Sequence, residues 1–483
     1  MKLTSITIKN YRSIEEISFN ITALNDETFT YGLIGVNEAG KSTILRALAL
    51  KDGMKNERGE ALPLAKDFKD PSKAIEIIYN YLLEEKEQQE AKDYLTQNAP
   101  STDLTNIDFG NIKYIASFKH NAPNQALKAV EIENIKNENE HKILIEDHLV
   151  AHLSAKTHAS IFWTAEDRYL ISQPINLAQF AIKPGDISIP LENCFALSGI
   201  VGIEAIKSRI ALITDSTERE QLENELGEKV TSHINAAWPK HPIKITFDIS
   251  DGLINFHVHD LNTKGKAKTA DQRSDGFKQF VSFLLTVSAQ NSNDELSNSI
   301  LLLDEPETHL HPQAQEDLLR ELVKITHNKR NNLVFFATHS NYMIDKKDLS
   351  RNYKVFKKPN KETDREKTEL LRFEEKASTY ASVTYDVFEI SSTDYHNELY
   401  DRLRADYGEE NNKDEVGITE FDNGYFVQIK KLKKDYPMKG EKNKITLPTY
   451  IRNCIHYPQN QNKDFNKQLP ESIGLLRSYI NEN

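Results

Sequence analysis

The run Phe29-Thr-Tyr-Gly-Leu-Ile34, continued by Gly35-Val-Asn-Glu-Ala-Gly-Lys-Ser42 and then Thr43-Ile-Leu-Arg-Ala-Leu-Ala-Leu50, decides the fold. The first part is largely apolar and reads as a buried strand. The second fits G-x-x-x-x-G-K-[ST] without a mismatch. The third has the composition and periodicity of a helix. Strand, glycine-rich loop and helix start, in that order, make a phosphate cradle. Glycines let the backbone curl until successive N–H groups face one anion. The helix N-terminus adds partial positive charge. On this reading Asn37, Glu38, Ala39, Gly40 and Thr43 form the cradle with Lys41 and Ser42. Lys41 reaches the β and γ phosphates, and the Ser42 hydroxyl holds Mg²⁺.

Three further motifs lie downstream. Ile300-Leu-Leu-Leu-Asp-Glu305 reads as a second buried parallel strand with an acidic end. Asp304 is placed to serve the metal and Glu305 to polarise an attacking water. Leu333-Val-Phe-Phe-Ala-Thr-His-Ser340 reads as a third such strand, reached through a helix over Gln313 to Thr326. Its His339 is placed to hydrogen-bond a γ-phosphate. Arg273-Ser-Asp-Gly276 reads as a turn before the apolar helix Phe277 to Val287.

The order of these motifs resembles the ABC-type ATPase head shared by SMC and recombination-repair proteins. The resemblance is closer to the AAA-like ATPases of the OLD family and of anti-phage defence systems. Two more stretches carry it, Ile8-Lys-Asn-Tyr-Arg-Ser-Ile14 and Asp304-Glu-Pro-Glu-Thr-His-Leu-His-Pro312. It covers residues 1–50 and 265–345 strongly, and the middle loosely. It implies an α/β fold: an ABC-ATPase-like head with a mixed sheet, a helical insertion and an α-rich C-terminal domain. It also implies ATP and Mg²⁺, with Ser274 and Gly276 contacting the γ-phosphate of ATP held by a second copy. The unit would then be a head-to-head dimer or something larger. The group usually carries a Gln at the end of a strand after the phosphate-loop helix. Here Gln88, Gln89 and Gln97 lie in a charged helical stretch, and none is assigned.

The 483 residues can hold two or three domains. The expected division is 1–100 for the first half of the head, 101–260 for an insertion, 261–350 for the second half and 370–483 for a partner-binding domain. Strand-rich pieces such as Asn111 to Phe118 and Ser160 to Thr164 are expected to extend the antiparallel sheet of the head. Over 200–236, Ile203, Ile206, Ile210 and Ile213 share one helical face, and Leu222, Leu226, Val230 and Ile234 another. That hairpin is either a packed subdomain or a dimerisation element. Ile245 to Val258 reads as a β-hairpin around Asp251-Gly252. Linkers are expected at Leu83–Asp93, Glu131–His141 and Lys357–Lys367.

No run of 18 apolar residues exists, so no membrane span is expected, and the start lacks a signal-peptide core. A cytoplasmic chain is expected. Cys194 and Cys454 offer neither a disulfide framework nor a Cys-x-x-Cys zinc hook. A net charge of −12 argues against a wholly basic DNA-coating surface, though not against a local basic groove.

Lys430 to Lys444 holds seven lysines against Asp435 and Glu441. It is either a solvated loop or a contact for nucleic acid or an acidic partner. Tyr450-Ile-Arg-Asn-Cys-Ile-His-Tyr-Pro-Gln-Asn460 resembles the R-N-x-I-H-H-P-E-N signature of some defence ATPases, including those of Septu systems and their retron-linked relatives. It also resembles the Arg…His pair of HEPN ribonucleases, whose spacing is generally four to six residues. Three residues separate Arg452 from His456, which favours docking of a partner over catalysis. The resemblance to Septu systems implies a separate HNH-type nuclease as that partner, with nucleic acid met through the complex. The expectation is an ATPase controlling a nuclease in phage defence. The alternatives are an ATP-regulated toxin with its own C-terminal RNase, and a nucleotide-dependent DNA clamp.

Overall fold

Strands buried on both faces are largely apolar, and three short runs here fit that pattern. In the computed structural model every residue of Thr30–Ile34, Ser299–Asp304 and Leu333–Thr338 is buried. The structure describes residues 1–481 apart from 25, 57, 101–103, 105–106, 133–139, 172–173, 238–241, 262–267, 270–277, 279–280, 284, 287–296, 328–330, 346, 360–365, 374–378 and 438–443. The chain divides into two units, Met1–Phe373 and Glu374–Asn483.

In the first unit β1 (Lys2–Tyr11) and β2 (Ile14–Asn20) form a hairpin, and β3 (Thr30–Ile34) follows. With β4 (Ile75–Leu82), β5 (Asn111–Lys119) and β6 (Ala122–Ile132), the hairpin builds an antiparallel sheet of order β2-β1-β4-β5-β6. Next come β7 (Ala159–Thr164), β8 (Ile175–Asn176), β9 (Ile243–Ser250), β10 (Leu253–Asp260) and β11 (Lys268–Thr269). Then follow β12 (Ser299–Asp304), β13 (Leu333–Thr338), β14 (Asn352–Pro359) and β15 (Glu366–Arg372). The second large sheet has the order β15-β14-β3-β13-β12-β7. All its pairings are parallel except β14 with β15.

Helix Lys41–Ala49 lies between the two sheets. Its Ile44, Leu45 and Leu48 share one apolar cluster with Ile8 and Tyr79 of the first sheet and Leu302 and Phe335 of the second. The alternate residues Leu301, Leu303, Val334 and Phe336 point into a second cluster with Trp163, Leu318 and Leu322. Period-two alternation thus feeds two cores from one sheet. Each such side chain contributes roughly 1.5–3 kcal/mol by leaving water.

The β-hairpin expected at 245–258 is present as β9 and β10, with Asp251 and Gly252 both at positive φ in the turn. Leu222, Leu226, Val230 and Ile234 are fully buried on helix Ser216–Ala237. That helix is tied to β9 through Thr231 and Asn235. Helix Ile203–Ala211 differs from expectation: Ile206 is buried, but Ile203 is half-exposed.

Two other expectations are corrected. Ser160 to Thr164 does not extend the antiparallel sheet. It pairs in parallel with β12, because hydrogen bonding along both edges of a sheet is not written into a single strand's pattern. Leu83–Asp93 is not a linker, since helix Glu85–Asn98 runs through it and buries Ala91 and Leu95. Of the linker stretch at Glu131–His141, residues 133–139 lie outside the described ones. Lys357–Lys367 contains the ends of β14 and β15.

The second unit is mainly helical: Tyr380–Phe388, Thr393–Glu410, Leu447–His456 and Phe465–Asn481, with a wider π-type turn over Asp422–Ile429. A two-strand ladder, β16 (Tyr436–Pro437) with β17 (Lys444–Ile445), completes it. Its core joins Tyr400, Leu403, Phe421, Phe426, Ile451 and Ile473.

Candidate functional site

The carboxyl ends of parallel strands are where open α/β sheets place their ligands. Here β3 runs out into Gly35–Gly40. Two glycines are required by geometry. At Gly35 a Cβ would collide with the Val355 carbonyl of β14. Gly40 has φ +109° and caps helix Lys41–Ala49, and a Cβ there would sit 2.5 Å from Thr368 Oγ1. Thr368 is itself clamped: its N–H donates to Ser13 O at 3.0 Å, and its hydroxyl lies 2.7 Å from Ser13 Oγ. The β1–β2 turn and β15 therefore buttress the loop from behind.

Lys41 is 4% exposed, and its Nζ donates to the Gly35 and Val36 carbonyls at 2.9 and 3.0 Å. Burial lowers its pKa, against the pull of Glu305, Asp304 and Glu307. Ser42 Oγ donates to Asp304 Oδ1 at 2.8 Å, joining the loop to the end of β12. Burial lifts Asp304 to about 6, although Ser42, Arg46 and Lys41 oppose it. One turn along the helix, Arg46 Nη2 donates to Glu166 Oε1 at 2.7 Å.

Glu305 leaves the strand at φ +52°, a strained value for this residue type, while its N–H still donates to Ala337 O at 3.0 Å. Its Oε1 lies 3.2 Å from His339 Nδ1, and both side chains are partly exposed. Beneath them Glu307 is almost fully buried. Thr338 Oγ1 donates to its Oε1, and its Oε2 has no partner. Burial raises Glu307 to about 7. Ser340 N donates to Thr338 Oγ1 at 2.9 Å, and the bond from Thr338 to Glu307 links the β13 exit to the β12 exit.

The structure therefore brings Lys41, Ser42, Asp304, Glu305 and His339 to one edge of the sheet. Asn37, Glu38, Ala39, Gly40 and Thr43 lie in the loop and first turn beside them. Ser274 and Gly276 lie outside the described residues. Gln88, Gln89 and Gln97 fall on or within helix Glu85–Asn98, away from any strand end. The strand flanking β12, β7, is followed by Ala165 and Glu166. Sequence reasoning missed roles for Arg46, Glu166, Glu307, Ser13 and Thr368. For Glu166 a signal existed, a charged residue just past an apolar strand. For Thr368 none did.

The arrangement can hold a polyphosphate and a hard cation. The Gly35 and Gly40 cradle leaves no room for side chains. Ser42 Oγ and Asp304 Oδ1 are two oxygen donors on one spot, a set that suits Mg²⁺, which keeps waters and takes phosphate oxygens for its other positions. Among the described residues no group of three or more His, Cys, Asp or Glu side chains could hold a metal alone.

Residues 31–345 match the model of an AAA-domain family whose description names the AbiEii toxin and Type IV toxin–antitoxin systems. An uncharacterized protein of Methanocaldococcus jannaschii is 27% identical over 119 residues, 24% of this chain and 30% of that protein. The Old nuclease of Escherichia phage P2 is 28% identical over 115 residues, 24% of this chain and 19% of its own length. The chain thus spans less than a third of the length of these curated relatives. Among solved structures, an Smc head bound to the C-terminal winged-helix domain of ScpA aligns over 77% of this chain and 98% of its own, at 13% identity and TM-score 0.41. The SMC head of Thermotoga maritima aligns over 77% and 100%, at 11% identity and TM-score 0.36. Among the described residues no helix is long and apolar enough to cross a membrane.

Proposed function

Because the chain belongs to that AAA-domain family, we propose that it is an ABC-type, Mg²⁺-dependent ATPase that works as a dimer or larger assembly. We infer that it controls a separate nuclease in cytoplasmic anti-phage defence, as the resemblance to Septu and retron-linked ATPases implies. One observation carries the ATPase reading: Lys41, Ser42–Asp304 and Glu305–His339 converge from three parallel strands.

In this reading Lys41 exchanges its two carbonyl partners for β- and γ-phosphate oxygens, which relieves its buried charge. Bound Mg²⁺ supplies charge neutralisation between the phosphates at Ser42 and Asp304. Glu305 accepts a proton from the attacking water, and His339 orients against the γ-phosphate while holding Glu305. Ser274 and Gly276 of a second copy would close the site. Closure couples nucleotide state to how the partner is held.

The test is Glu305→Gln. The amide cannot accept the proton, so turnover should fall roughly 10²–10⁴-fold. ATP–Mg²⁺ binding should persist, and light scattering should show a dimer trapped by ATP. Wild-type turnover in this variant would remove Glu305 from its role, and a monomer under saturating ATP would remove the composite site.

A further inference from the structure

Gln315 stands in the first turn of helix Pro312–Thr326, on the connection from β12 to β13. Its backbone N–H donates to His311 O at 3.1 Å, so the main chain is committed to the helix and the side chain bonds elsewhere. Helical side chains lean back toward the N-terminus, and this carboxamide does so. Its Nε2 donates to Leu310 O at 2.9 Å and, over a longer 3.5 Å, to Glu307 O. Two carbonyls on one side fix the orientation of the amide, because only its NH₂ end can face them. Its Oε1 is turned to Ser340, whose hydroxyl donates to it at 2.5 Å. Ser340 carries the path on: its N–H donates to Thr338 Oγ1 at 2.9 Å, and Thr338 Oγ1 donates to Glu307 Oε1. Leu310 N in turn donates to Glu307 O at 3.0 Å. The bonds close into a ring that runs from Glu307 through Thr338, Ser340, Gln315 and Leu310 back to Glu307.

Glu305 and His339 sit on the same stretches of chain as this ring. His339 lies between two of its members, Thr338 and Ser340. Glu305 precedes Glu307 by one proline, and its carbonyl accepts from the N–H and the hydroxyl of Thr308 at 3.2 and 2.9 Å. The direct contact between the Glu305 and His339 side chains is 3.2 Å long and partly exposed. A contact open to water holds geometry weakly. Glu307 and Thr338 are buried, so a ring bond broken there leaves a buried polar group unpaired. The ring therefore sets the distance between the two strand exits more firmly than the exposed pair does. We propose that Gln315 is a positioning residue for ATP hydrolysis, a role that rests on the ATPase reading above. By bridging Leu310 O and Ser340 Oγ, its carboxamide fixes the spacing between Glu305 and His339.

The test is steady-state hydrolysis of ATP–Mg²⁺ by the full chain. Gln315→Leu keeps the side-chain bulk and removes both bonds. Its kcat should fall about 10–100-fold, the scale of a small misplacement at a reacting centre, while ATP affinity by calorimetry stays unchanged. Ser340→Ala should lose as much, and Ser340→Thr, which keeps the hydroxyl, should recover most of the rate. The double variant of Gln315→Leu with Ser340→Ala should be no slower than either single one, because both break one bond. Should Gln315→Leu fail to fold, the two Ser340 variants carry the same comparison. A second readout needs no turnover: the ¹³C-labelled imidazole signal of His339 in the nucleotide-free chain, assigned by its loss in His339→Asn, should shift in Gln315→Leu. Absence of turnover in wild type would sink the ATPase reading, and with it the catalytic role, whereas a shifted His339 signal would still show the ring holding that side chain. Unchanged kcat in Gln315→Leu, additive losses in the double variant, or a loss confined to ATP affinity would overturn the proposal, as would an unmoved His339 signal.

Discussion

The carboxyl edge of the six-stranded sheet and the core of the second unit both bury polar side chains, and they differ in how many shifted charges they bring together. In the second unit several buried groups pair with neighbours, although His396 Nδ1 and Asp422 Oδ2 have no hydrogen-bond partner. His396 Nε2 meets Ser472 Oγ at 2.9 Å, Tyr400 meets Thr449 at 3.1 Å, and Thr446 Oγ1 donates to Asp422 at 2.6 Å. Burial pushes His396 down to about 3, so it is neutral near pH 7 and serves packing and the bond to Ser472. At the sheet edge the groups come from distant segments and leave charge unresolved. Asp304 and Glu307 are held above the ordinary carboxylate range while the Lys41 ammonium beside them is held down. Burial by itself therefore marks a core. Converging buried charges at strand ends are what supports the proposed phosphate site.

The sharpest way to break this contrast is Lys41→Ala. A phosphate chain left without its buried ammonium should lose about 2–5 kcal/mol of binding, or at least some 30-fold in affinity for ATP by calorimetry. Near wild-type affinity would mean that the edge is another core.

Glu307 gives the next effect. Its pKa rises from an ordinary 4.5 to about 7 on folding, because burial disfavours its charge. The folded chain therefore binds this proton more tightly than the unfolded chain. The stabilisation is complete below about pH 4.5 and is lost as pH rises through 7. Glu307→Gln should lose that dependence, so wild type should weaken relative to the variant by about 3 kcal/mol between pH 4.5 and 8. Parallel denaturation curves at both pH values would contradict it.

Thr368→Val sharpens the comparison from the supporting side. It removes one hydroxyl from behind Gly40 and leaves Ser13 Oγ without that partner. The expected loss is about 1 kcal/mol, read as a several-fold rise in KM for ATP with kcat little changed. A fall in kcat alone would place Thr368 elsewhere in the cycle.

The smallest effect should come from His456→Ala. His456 is exposed at the end of helix Leu447–His456, one turn from Arg452. ATP turnover should be unchanged, and the isolated chain should show no RNA cleavage to lose. RNA cleavage by wild type that disappears in this variant would move a catalytic site into the second unit.

The sequence by itself determined the elements at the sheet edge. Largely apolar runs ending at Gly35, Asp304 and Thr338-His339 read as doubly buried strands with polar exits. The loop glycines and Lys41-Ser42 follow a spacing set by phosphate geometry. The turn at Asp251-Gly252 was equally local. What only the tertiary structure decided is which strands lie side by side and what stands behind the loop. Ser160–Thr164 pairs with β12, which delivers Glu166 to Arg46, and Thr368 reaches Ser13 across more than 350 residues. Glu307 reads as one more acid in a charged turn until Thr338 and its missing second partner make it a buried group. The physical reason is the same in each case. A local pattern records the periodicity with which a strand or helix meets water. Hydrogen bonding between strand edges and contacts between distant side chains leave no period in the chain, so they appear only when the sheets are stacked.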